Sequence, residues 1–215
     1  MNCLKIANIK GVRLAIATAL LAQVPILIAW QTVPSAIALP GQTPDQVIDW
    51  VRVHPVLKPS KNERLLVNKS DTPARRFQFQ ASVLIPGLAN MKGEANIIRS
   101  EQIRLFDIIN GVTKSRLEEA LRSIYDPEIM RDYANAKQVY VYPTAAMLRR
   151  SQYRNASPIL RALQGELRQG TKYGYWVELL QNGRGGANSG SITVFELENL
   201  PKLEQELRDR GKNFQ

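Results

Sequence analysis

The stretch Arg75-Arg76-Phe77-Gln78-Phe79-Gln80-Ala81-Ser82-Val83-Leu84-Ile85 decides the fold class. Phe77, Phe79, Ala81, Val83 and Ile85 alternate with Arg76, Gln78, Gln80 and Ser82. That period of two puts one side of a strand in a core and the other toward water. After a turn over 86–93, residues 94–109 return with Ile97, Ile98, Ile103, Leu105, Ile108 and Ile109 apolar. The two segments predict a long antiparallel pair, with a bulge near Ser100. Upstream, residues 55–74 carry Pro55, Pro59, Pro73 and many charges, and read mostly as loop with a short strand at 65–67. Before them, Thr43-Pro44-Asp45-Gln46 predicts a helix start. Thr43 caps, Pro44 suits the first helical position, and Gln46 completes a capping box. That helix ends at His54-Pro55, because proline disfavours the helical conformation of its predecessor.

Downstream, Asn110-Gly111 breaks the extended pattern. Ser115-Arg116-Leu117-Glu118 reads as a second capping box, with Leu117, Ala120, Leu121 and Ile124 at helical spacing. Asp126-Pro127-Glu128 starts another helix, expected to end near Ala136. Residues 139–143 predict a short strand and 145–150 a helix. Ser157-Pro158 predicts a further helix, with Leu160, Leu163 and Leu167 inward and Gly170 past its end. Residues 172–181 and 191–198 read as a hairpin across the glycine-rich loop 182–190, and 200–210 as a closing helix stopped by Gly211. This order predicts an α+β domain: an antiparallel sheet of about five strands with helices packed mainly on one face.

The first 38 residues read differently. Lys5, Lys10 and Arg13 precede an apolar run over 14–30, and Ala36-Ile37-Ala38 supplies a small-x-small end. Positive charge stays on the cytoplasmic side, the apolar run enters the membrane, and small side chains fit a peptidase cleft. This predicts a cleaved signal peptide over 1–38, an N-terminal helix and Pro-rich linker over 39–74 packing on the domain, and the α+β domain over 75–215. An uncleaved anchor is the alternative. Against it, the run sits at the lower limit for spanning ~30 Å of hydrocarbon and contains Gln23 and Pro25. The expected address lies beyond the inner membrane: periplasmic, lumenal (as in a thylakoid) or extracellular.

The whole chain carries a net charge of +10. The leader holds three of its 29 basic residues and none of its 19 acidic ones, so +7 remains on the rest. A basic exported domain suits an anionic envelope component or a membrane-associated protein, and export argues against intracellular nucleic acid. Membrane contact is expected only through the signal segment or peripherally. Cys3 is the sole cysteine and leaves with the leader, which excludes disulfides, thiol nucleophiles and cysteine-held metals or clusters from the mature chain.

Catalytic motifs are sparse. His54 is the only histidine, so two-histidine metal sites are excluded, and its place at a helix end favours a capping role over a relay. There is no Ser-x-x-Lys pair, no Gly-x-Ser-x-Gly elbow and no phosphate loop of the Gly-Lys type. No metal and no cofactor are expected. Carboxylate chemistry survives these exclusions, since glycoside cleavage needs only two acids in contrasting surroundings. Glu196 and Glu198 with Glu178 form one candidate set, and Glu118-Glu119 and Asp126/Glu128/Asp132 are the others.

The most suggestive positive feature is basic and aromatic interleaving. Arg149, Arg150, Tyr153 and Arg154, followed by Arg161 and Arg168, suggest a cationic ridge in which arginine forks meet carboxylate or phosphate. Tyr140, Tyr142, Tyr173, Tyr175 and Trp176 are expected on neighbouring strands. Arg184 adds charge to a loop whose successive N–H groups can cradle an anion. However, Asn188 breaks the Gly-x-Gly-x-x-Gly fingerprint, and the loop joins two strands. The candidate binding residues are therefore Arg149, Arg150, Tyr153, Arg154, Arg161 and Arg184, with no catalytic residue assigned. The expected function is that of an exported, non-enzymatic binding or accessory module. Its partner would be wall polymer, a membrane surface or a membrane-protein complex. A carboxylate-dependent hydrolase of envelope polysaccharide is the alternative.

Overall fold

A computed structural model describes residues 40–87, 96–152, 158 and 162–213. The signal peptide expected over 1–38 lies outside the described residues. The fold is α+β, built on one seven-stranded antiparallel sheet. In chain order the elements are α1 (Pro44–Val53), β1 (Leu66–Thr72), β2 (Arg75–Ser82), β3 (Ser100–Asp107), α2 (Lys114–Ile124), α3 (Pro127–Asn135), β4 (Lys137–Tyr142), α4 (Ala145–Ser151), β5 (Leu163–Gln169), β6 (Tyr173–Gln181), β7 (Ala187–Glu196) and α5 (Leu200–Asn213). A 3-10 turn, Leu197–Asn199, leads into α5. The strands lie in the order β1-β2-β3-β7-β6-β5-β4.

The predicted β2–β3 pair forms, with Phe79 opposite Ile103 and Gln78 opposite Arg104. Phe79, Ile103, Ile192, Tyr175 and Val177 face a core covered by α1, α2 and α3. Among the described residues, the other face is covered only at one end, where Tyr140, Leu167 and Phe195 pack against Leu200, Leu203 and Leu207 of α5 and Met147 of α4. Among the described residues, helices thus lie on both faces, three on one and two over an end of the other, instead of mainly on one.

The sheet has seven strands, not about five, for two reasons. First, β1 extends to Thr72, through the charged stretch expected to be loop. It is an edge strand with one neighbour, so hydrophilic side chains cost it little. Second, Leu163 to Gln169 is a strand and not the end of a helix. Leu163 and Leu167 are four apart, a spacing shared by a helix face and by one side of a strand. Gly165 between them resolves the ambiguity, since a Cβ there would overlap the Tyr142 ring and the Val177 carbonyl. Leu160 lies outside the described residues.

The hairpin is also tighter than expected, because β7 begins at Ala187 and leaves only 182–186 as loop. Gly190 belongs to the sheet interior, where a Cβ would come within 2.6 Å of Leu179. The closing helix runs through Gly211 to Asn213.

Caps follow the predicted chemistry at α1 and depart from it at α2. Thr43 Oγ1 accepts from the Gln46 amide at 3.4 Å, and Gln46 Oε1 accepts from the Thr43 amide at 2.9 Å. At α2 the cap is Thr113 and not Ser115. Glu118 accepts instead from the Tyr133 hydroxyl at 2.9 Å, tying α2 to α3. His54 closes α1, its Nδ1 accepting from the amides of Val56 and Leu57 while Nε2 donates to the Ile124 carbonyl at 3.0 Å.

Candidate functional site

The half of the second face that no helix among the described residues covers carries rows of side chains that run across the strands. One row reads Asn68–Gln78–Arg104–Ser191–Glu178, with each pair in register. A second reads Ser70–Arg76–Phe106–Ser189–Leu180. A third joins Gln80, Gln102 and Thr193 before reaching Trp176. Here the positions of β1, β2, β3 and β7 hold amides, hydroxyls, two arginines, Phe106 and, at the margin, Leu66, and no acid. Two recesses indent it, of about 330 Å³ and 310 Å³, sharing Arg104 and Ser189.

Hydrogen bonds along the rows fix the amides. Gln78 Nε2 donates to Asn68 Oδ1 at 2.9 Å, and Gln102 Nε2 to Thr193 Oγ1 at 3.2 Å. Arg104 Nη2 donates to Gln102 Oε1 at 2.8 Å. The Arg76 guanidinium lies 4.4 Å from the centre of the Phe106 ring. Both arginines are exposed, and no carboxylate pairs with either among the described residues. Their forks remain open to a ligand anion.

The far wall is built differently. Tyr142 Oη donates to Glu178 Oε1 at 2.6 Å and accepts from Trp176 Nε1 at 2.9 Å. Arg210 pairs with the same Glu178 oxygen at 3.0 Å, which neutralises the one acid of the row. Burial, then the charge of Glu178, push the Tyr142 phenol well above its usual range, so it stays protonated and donating.

The residues singled out from sequence are scattered by comparison. Arg149 is exposed on α4, the helix that also contains Arg150. Tyr153, Arg154 and Arg161 lie outside the described residues. Arg184 is exposed at the β6–β7 tip, where its own amide donates to Asn182 Oδ1 at 2.9 Å. Arg168 is half-buried against Glu166, with its guanidinium 4.9 Å from the Tyr133 ring. Of the expected aromatic set, Tyr175 enters the helix-covered core, while Tyr140, Tyr142 and Trp176 sit on the opposite face.

The acids have structural partners. Glu178 and Glu196 alternate to opposite faces of the sheet, as their registers with Ser191 and Tyr173 require. Glu196 and Glu198 both accept from Arg99 Nη1 at 2.8 Å. Glu128 pairs with Lys172, and Asp132 accepts from the Tyr175 hydroxyl at 2.8 Å.

Sequence reasoning passed over Arg76, Arg104, Gln78 and Gln102. Their signal is chemical: the outward side of the best strand carries Arg-Gln-Gln-Ser, with neither lysine nor acid. No protein family, curated protein or solved structure matches the chain.

Proposed function

We propose that the chain is an exported, non-enzymatic binding module that contacts an anionic envelope component through a basic, hydrogen-bonding surface. The observation that carries this reading is the polar row through Asn68, Gln78, Arg104 and Ser191, whose one acid, Glu178, is neutralised by Arg210, on sheet surface that no helix among the described residues covers. An antiparallel sheet can leave one face solvated, and here that face offers two exposed guanidiniums with no carboxylate partner among the described residues, set among amides and hydroxyls. The leader and the remaining charge of +7 support the address and the sign of the partner.

Affinity capture from native envelope tests the function. The expected result is retention of an anionic component that is released by added salt. Retention insensitive to salt and to loss of Arg76 and Arg104 overturns it. N-terminal sequencing of the fractionated protein tests the address, with a start just after Ala38 expected. Recovery from the cytosol with Met1 intact overturns export.

A further inference from the structure

The geometry points to one ligand class for the open sheet face: an acidic polysaccharide, whose carboxylates meet the Arg76 and Arg104 forks and whose hydroxyls meet the amide rows. This rests on the binding reading above and narrows it.

Three observations select the class. The rows run across the strands, so a chain lying along them meets the same amide-and-hydroxyl chemistry on strand after strand. From β1 to β7 this path covers three strand spacings, about 14 Å at ~4.8 Å each, before Glu178 on β6. A polymer fills such a path better than a single small anion does.

Next, the aromatic rings on this face are already occupied. Arg76 lies over Phe106, and the Arg210 guanidinium lies 5.5 Å from the centre of the Trp176 ring. Nucleic-acid bases need free rings to stack on, whereas sugar hydroxyls need donors and acceptors. Asn68, Gln78 and Gln102 supply both.

Finally, the surface is recessed between rows, and its exposed apolar side chains, Leu66 and Leu180, stand at its margins while Phe106 lies under Arg76. A membrane-binding face instead presents a protruding apolar wedge ringed by cations. Carboxylate is preferred to neutral sugar because neither guanidinium has a carboxylate partner among the described residues, and a planar carboxylate matches their fork.

The test uses the purified protein with polygalacturonate, a neutral dextran, phosphatidylglycerol vesicles and a single-stranded oligonucleotide. Polygalacturonate is expected to bind, with affinity falling as salt rises. Arg104→Ala and Arg76→Ala should each weaken it at least about tenfold. Arg104→Lys should also weaken it, because the charge stays and the fork goes. Arg52→Ala removes one positive charge from α1 on the opposite face and should leave binding unchanged. An equal loss in that variant, or equal binding of dextran, overturns the site. Arginine-dependent binding of vesicles or oligonucleotide without polygalacturonate overturns the polysaccharide assignment while leaving the binding module standing. Failure of every anionic probe overturns both.

Discussion

Tyr125 Oη donates a 2.6 Å hydrogen bond to Glu101 Oε2, and both side chains are closed off from water. Glu101 stands opposite Ala81 and Val194 on the core face of the sheet, and its Oε1 has no partner among the described residues. Burial, only partly offset by the Tyr125 hydrogen bond, pushes the Glu101 carboxyl up to about 7.

The sign of the resulting pH dependence follows. Between the usual 4.5 and about 7, folded Glu101 holds a proton that the unfolded chain has released. Stability therefore falls as pH rises through that window, by roughly 3 kcal/mol at most. Urea titrations of the parent and Glu101→Gln at pH 4.5 and pH 8 check this. The stability difference between the two proteins should swing toward the variant at pH 8. A difference independent of pH would show that Glu101 carries no such proton.

His54 works in the opposite direction. Burial holds its imidazole below its usual value, with the charge of Lys69 adding to the effect. Nδ1 is occupied as an acceptor and Nε2 as a donor, so the neutral ring fits its surroundings. The stability contributed by this ring is present above the unfolded value of about 6.5 and is lost as pH falls. His54→Ala should cost about 1–2 kcal/mol at pH 8 through the lost cap bonds, and less at pH 5. Ring-nitrogen NMR should show the Nε2-protonated tautomer at neutral pH.

Gly165 is a packing requirement. Any Cβ there meets the Tyr142 ring and the Val177 carbonyl oxygen, and Tyr142 is fixed by Glu178 and Trp176. Gly165→Ala should destabilise by about 3 kcal/mol, measured by thermal or urea unfolding. If the Tyr142 ring is the obstacle, Tyr142→Leu in the same chain should recover part of that loss.

The fold was legible where two signals agreed. In β2, Phe77, Phe79 and Ala81 alternate cleanly with polar neighbours, and at α1 Thr43, Pro44 and Gln46 each point to the same helix start. It was illegible where one signal served two structures. Leu163 and Leu167 satisfy either a helix or a strand, and only the approach of Tyr142 shows why Gly165 lies between them. Ser115 and Glu118 have capping-box spacing, but Thr113 caps α2 because the chain enters from that side. The open face was hidden for a different reason. Arg76, Gln78 and Arg104 are remote or alternating in sequence, and only strand pairing places them in rows. A single chain shows which residues point away from the core, but not which of those outward sides stays bare.

The amide rows make a last, two-sided prediction. Gln78 and Gln102 occupy sheet positions where β-branched side chains are intrinsically preferred. Gln78→Thr removes a hydrogen bond to exposed Asn68, while Gln102→Val removes one from exposed Arg104 and one to the hydroxyl of buried Thr193. Gln78→Thr should therefore leave stability unchanged or raise it by up to about 1 kcal/mol, and in Gln102→Val the same preference should offset the lost Thr193 bond to within about 1 kcal/mol. The same changes should weaken polygalacturonate binding, because the row loses its donors and acceptors while keeping both arginines. Paired measurement of urea unfolding and polymer affinity separates the possibilities. Stability gained with affinity lost is the pattern of a surface kept polar for a ligand. Stability lost by more than about 1 kcal/mol with affinity intact would make the rows a structural ladder of the sheet.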